Sequence, residues 1–134
     1  MKALTLLTLG WMMALPPVPV QEMVASAEVV ARVEVKPFKR TSWFFQSPEK
    51  WRTTLVPLTV YKGQLPGPVE LSIQVEPGKD GGNFTKPPEA GERVAFLRKD
   101  GETWVLAEPR VQALRKATPE LLQALETPAP AAPH

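Results

Sequence analysis

Cysteine is absent from this chain, and histidine occurs once, at His134, the last residue. Without cysteine no disulfide can staple the fold and no lipid can be attached through a thiol, so stability must come from burial and backbone pairing. With no histidine beside a nucleophile, acyl-transfer chemistry lacks its usual base. The serines, Ser26, Ser42, Ser47 and Ser72, sit in no Gly-x-Ser-x-Gly elbow. A phosphate-cradling glycine loop and a cluster of metal-ligating side chains are missing too. Net charge is also small: 16 Lys and Arg against 14 Asp and Glu leave +2, too little to attract polyanions over the whole surface. Any basic site must be local. An enzyme built from this chain would have to run on carboxylates such as Glu34, Glu70, Glu76 or Asp80, so the expectation is a noncatalytic protein with no cofactor and no metal.

No apolar run reaches the roughly 20 residues that a membrane-spanning helix needs. The longest, Ala3 to Leu15, follows a positive start at Met1-Lys2 and is interrupted by Pro16, Pro17 and Pro19. Those are the proportions of a secretory signal peptide. Residues 1–20 are therefore expected to be a leader and the protein to be exported, periplasmic or extracellular, with no stable membrane span after cleavage. Small residues at Ala14 and at Ala25-Ser26-Ala27 bracket the cut between 14 and 27, and a cut between Ala14 and Val20 keeps Gln21 to Ala27 as structure.

What remains is patterned for strands. Val29, Ala31, Val33 and Val35 alternate with polar residues, as a half-buried strand requires. A second strand is predicted from about Trp51 to Tyr61, with Thr54, Val56, Leu58 and Val60 sharing a face. Pro57 cannot donate to a ladder, so this strand must be at an edge or bulged there. The turn Lys62 to Pro68 precedes the clean alternation Val69, Leu71, Ile73, Val75. Pro77 to Gly91 holds four glycines and three prolines and is expected to be a long loop without a helix. Strands are predicted at Arg93 to Arg98 and Thr103 to Ala107, joined by a tight hairpin centred on Asp100-Gly101. Val111, Leu114 and Arg115 suggest a short helical turn, and Thr118-Pro119-Glu120 caps another that carries Leu121, Leu122 and Leu125. Residues 127–134 form a Pro/Ala tail with little to bury.

Five strands in about a hundred residues close more readily into a barrel than lie flat, because a short open sheet exposes two edges. The expected fold is all-β: a small five-stranded OB-like barrel over residues 21–126 with short flanking helices. Val29-Val30-Ala31-Arg32-Val33, Val60-Tyr61-Lys62-Gly63, Gly81-Gly82 and Gly91-Glu92-Arg93-Val94-Ala95-Phe96-Leu97, in that order and spacing, resemble the bacterial secreted domains related to netrin-like modules and to the tissue inhibitors of metalloproteinases. The resemblance implies an OB-type barrel with flanking helices. It implies little about activity, since fold does not carry function. The inhibitors' route, an N-terminal cysteine on the enzyme's zinc, is closed to a chain without cysteine.

Two local features could carry binding. Glu76 to Asn83 brings two carboxylates and an amide together, but in no spacing that forms a calcium loop, and a solvated turn accounts for it. The segment from Lys36 to Arg52 interleaves cations with Phe38, Trp43, Phe44, Phe45 and Trp51. Its candidate binding residues are Lys39, Arg40, Trp43, Phe44, Phe45, Lys50 and Arg52, because rings stack on bases or sugars while Lys and Arg neutralise phosphate or carboxylate. The same pattern also fits a core: Phe38, Phe44, Phe45 and Trp51 would fill the barrel and its mouth while the charges are solvated. In a strand only one parity of Trp43-Phe44-Phe45 points inward, so at least one ring should be exposed, and Trp43 is the one least suited to a core. Two functions follow as expectations: a binding module of the cell envelope with a protein partner, or a salt-dependent binder of an anionic polymer or single-stranded nucleic acid through residues 36–52.

Overall fold

The computed structural model describes residues 18–78 and 84–126. The predicted leader up to residue 17, residues 79–83 of the glycine-rich loop and the 127–134 tail with His134 lie outside the described residues, and the favoured cleavage window, Ala14 to Val20, does so only up to residue 17. The elements in chain order are α1 (Val20–Ser26), β1 (Val29–Val35), β2 (Lys39–Arg40), β3 (Glu49–Lys62), β4 (Val69–Val75), β5 (Gly91–Asp100), β6 (Thr103–Leu106), a 3-10 turn at Arg110–Gln112, β7 (Leu114–Lys116) and α2 (Pro119–Glu126).

The strands run β1-β3-β4-β6-β5, and β5 pairs back onto β1, which closes a five-stranded barrel. All of these pairings are antiparallel except β4 with β6, which is parallel. This is the expected OB-like all-β barrel with short flanking helices. β2 adds to the outer end of β3, and β7 adds to β5.

On β1 and β4 the core follows from the sequence pattern with one addition. Val69, Leu71, Ile73 and Val75 are buried on β4, and Val29, Ala31, Val33 and Val35 are buried on β1. Val30 is buried as well, although it has the opposite parity. It sits opposite Phe96, while Ala31 sits opposite Ala95, so β1 and β5 are covered on both faces. Met23 of α1 and Leu121 of α2 belong to the same apolar cluster and account for the second layer. Each fully buried aliphatic or aromatic side chain here contributes about 1.5–3 kcal/mol. Arg115 ties the helical side together, donating from Nε to the Gln112 carbonyl at 2.8 Å and from Nη2 to the Val18 carbonyl at 2.6 Å. Its guanidinium lies 5.7 Å from the Phe96 ring centroid, and burial lowers its pKa.

The inward face of β3 is fixed by the structure, and two expectations change. On β3 the buried residues are Thr53 and Leu55, so the face shared by Thr54, Val56, Leu58 and Val60 is the outer one, with Leu58 and Val60 exposed. Pairing with β1 shifts register between Arg32 and Val33, where Thr59 and Pro57 are the successive partners; the strand is bulged at its proline, as the missing donor requires. Leu114 and Arg115 belong to β7 and not to a helical turn, because their backbone completes the ladder of β5 opposite Ala95 and Val94. The β5–β6 hairpin is centred on Gly101-Glu102, with Asp100 opposite Thr103, and only Gly101 has positive φ, at 64°. α1 and α2 form where short helices are expected, and the Leu121 amide donates to Thr118 Oγ1 at 3.2 Å as an N-cap.

Candidate functional site

The segment between β1 and β3 is a hairpin whose tip is irregular. Its arms are short: Lys39 opposes Arg52, Arg40 opposes Trp51, and the Thr41 amide donates to the Lys50 carbonyl at 2.8 Å. Parity then places Lys39, Lys50 and Arg52 on one face and Arg40 and Trp51 on the other. Trp51 is half-buried against the core, as is Phe38.

Arg40 organises the tip. Its Nη2 donates to the carbonyls of Trp43 at 3.0 Å and Phe44 at 2.9 Å, its Nε donates to Ser42 Oγ at 3.3 Å, and its Nη1 lies 3.5 Å from the Glu49 carboxylate. Glu49 also accepts from Trp51 Nε1 at 2.9 Å. Further bonds close the turn: the Gln46 amide to the Trp43 carbonyl at 3.0 Å, and the Lys50 amide to Ser42 Oγ at 3.0 Å. A chain fixed in this way is not a strand, so its side chains do not alternate. Trp43, Phe44 and Phe45 are 84%, 79% and 92% exposed. Phe44 and Phe45 meet edge to face with centroids 5.2 Å apart.

All three tip rings are thus at the surface, and a core role for Phe44 and Phe45 is corrected. Phe38 and Trp51 do pack against the core. Arg40, a candidate contact in the sequence, has most of its donors engaged inside the loop and serves to position the rings.

The cations divide differently. β4 and β6 share a single parallel register pair, Leu71 with Trp104. Ser72 to Gln74 on β4 and Val105 and Leu106 on β6 line an open groove of about 410 Å³ at the base of the tip, where Thr41 also contributes. Lys50 and Arg52 line this groove, and barrel closure brings Arg98 and Arg110 to it. Four cations therefore face two carboxylates, Asp100 and Glu108. Arg52 lies 3.8 Å from Glu70, outside the groove, and Arg110 Nε, shielded from water, lies 3.3 Å from the Glu108 carboxylate without the alignment of a hydrogen bond. Lys39 is exposed on the hairpin arm.

Arg98 and Arg110 were not among the sequence candidates. They stand nearly fifty residues or more from Lys50, and only the strand order of the closed barrel joins them to it.

No protein-family model matches the chain, and no curated protein shows a match to it.

Among the described residues no group of three or more His, Cys, Asp or Glu side chains is placed to hold a metal, and no helix is long and apolar enough to cross a membrane.

Proposed function

We propose that this protein is a noncatalytic binding module of the cell envelope and that its contact surface is the tip at Trp43, Phe44 and Phe45. The observation that carries this reading is the exposure of three consecutive rings on a loop whose backbone is held by Arg40. Large rings left in water on a chain of this size are costly unless something covers them in use. Rings fixed in advance lose little conformational freedom when they bind, which favours affinity. The signal-peptide pattern of residues 1–20 supports the envelope as the place of action, and the netrin-like resemblance is compatible with an exported domain that binds. The test is sedimentation of the chain with the envelope fraction of its producing cell. Parent protein should pellet, and a Trp43→Ala/Phe44→Ala/Phe45→Ala variant of unchanged melting temperature should remain in the supernatant. Equal pelleting of the two would remove the tip from the function.

The groove favours a second reading, a salt-dependent binder of an anionic polymer or single-stranded nucleic acid. Lys50, Arg52, Arg98 and Arg110 outnumber Asp100 and Glu108 there. Binding through this groove would weaken steeply with salt and would be lost in Arg98→Gln/Arg110→Gln while surviving removal of the tip rings.

A further inference from the structure

We infer that the tip is a wedge for lipid, and that the protein attaches peripherally to an anionic bilayer by inserting Trp43, Phe44 and Phe45 among the headgroups. This rests on the proposed contact surface and adds the chemistry of what covers it. The first reason is shape. Three adjacent side chains project from the end of a hairpin, with more than three quarters of each exposed, and a projecting apolar point suits a soft interface that closes around it.

The second reason is the chemical order along the hairpin. At its end are one Trp and two Phe, which are among the side chains that sit at the boundary between headgroups and acyl chains. Behind them, on a single face of the arms, come Lys39, Lys50 and Arg52, all exposed. Long basic side chains keep their charge in the headgroup layer while their stems lie against apolar material. The carboxylate that follows the tip in sequence, Glu49, lies 3.5 Å from the Arg40 guanidinium, which counters its charge toward anionic lipid.

The third reason is that Arg40 withdraws the polar backbone of the tip from competition. The Trp43 and Phe44 carbonyls accept from its guanidinium, and the Trp43 carbonyl accepts again from the Gln46 amide. Carbonyls satisfied within the loop can approach an apolar layer with less loss than bare ones.

The experiment uses the chain as it accumulates in the producing cell, with its N-terminus established by mass spectrometry, and measures sedimentation with vesicles. One set is phosphatidylcholine alone and the other contains phosphatidylglycerol. Parent protein should bind the phosphatidylglycerol vesicles at least about tenfold more tightly than the neutral ones, as interfacial binding with basic support requires. Trp43→Ser/Phe44→Ser/Phe45→Ser should lose binding to both. Lys39→Gln/Lys50→Gln/Arg52→Gln should bind the two vesicle types alike. The single variant Phe45→Ser, the mildest change, should be weakened several-fold, and melting curves establish that each variant is folded. Absence of parent binding to either vesicle, or binding that the triple variant retains, overturns the inference. If vesicles fail while the envelope fraction still holds the parent through its tip after lipid extraction, the covering partner is a protein: the lipid wedge falls and the proposed contact surface stands. If the envelope fraction fails as well, both fall.

Discussion

Arg40 and Phe44 are joined twice: the guanidinium donates from Nη2 to the Phe44 carbonyl at 2.9 Å, and its carbon lies 5.8 Å from the centroid of the Phe44 ring. One side chain thus holds the backbone of the tip and contacts a ring that the tip displays. The barrel supplies the two arms, Arg40 fixes the turn between them, and the rings are left exposed at its surface.

Replacing Arg40 with Ala should cost about 1 kcal/mol of global stability, because the bonds lost lie at the surface. Its local effect should be larger. Chymotrypsin, which cleaves after aromatic residues, should cut the variant between 43 and 46 well before it cuts the parent, and equal rates would show that the tip is held by something other than Arg40.

The rings of the tip and of the core should separate cleanly in thermal melts. Phe96 is fully buried and Phe96→Ala should cost about 3–5 kcal/mol. Half-buried Trp51 should cost about 2 kcal/mol as Ala, and Trp43→Ala should stay within about 0.5 kcal/mol of the parent.

How far the sequence revealed these assignments depended on whether burial was one-sided. On β4 one face meets the core, so the alternation Val69, Leu71, Ile73, Val75 is visible. β1 is covered on both faces, which makes Val30 as buried as its neighbours and blurs the alternation. On β3 both parities are rich in β-branched and apolar residues, and the register shifts opposite Val30–Ala31 and Arg32–Val33 leave the inward face unmarked. Leu114–Lys116 is too short to show any period. The tip needed a different kind of knowledge: a parity rule applies to strands, and Arg40 turns residues 43–45 into a loop in which all three rings face out. The basic composition of 36–52 did point to this surface, but the groove's Arg98 and Arg110 depend on contacts that strand order alone creates.

Gly63 marks a place where the backbone allows no side chain. Its φ is +74°, and an added Cβ would lie 2.4 Å from the Glu28 carbonyl oxygen and 2.9 Å from a methyl of Val29. Gly63→Ala should cost at least about 2 kcal/mol, combining left-handed strain with a backbone clash. Gly101, with φ +64° and open space around it, should cost about 1 kcal/mol as Ala. Similar losses in urea unfolding would refute the close approach at Gly63.

Tyr61 should give the stability a dependence on alkaline pH. Burial first, then the Glu126 carboxylate, raise its pKa; Arg32 opposes them and Glu92 adds to them. The folded protein therefore holds the phenol proton more firmly than the unfolded chain, whose value is about 10. The contribution is complete below that value and is lost as pH rises through it toward the raised one. Melting temperature between pH 9 and pH 11 should fall more steeply in the parent than in Tyr61→Phe, and parallel curves would contradict the shift.

The most direct test of the tip as contact surface is ¹⁹F NMR of protein labelled with fluorotryptophan, in which loss of a resonance in Trp43→Phe identifies Trp43. On addition of the envelope fraction the Trp43 resonance should shift and broaden, while those of Trp51, beside the groove, and Trp104, on β6, keep their positions. An unchanged Trp43 signal with a displaced Trp51 signal would contradict the account and move the binding surface from the tip to the groove.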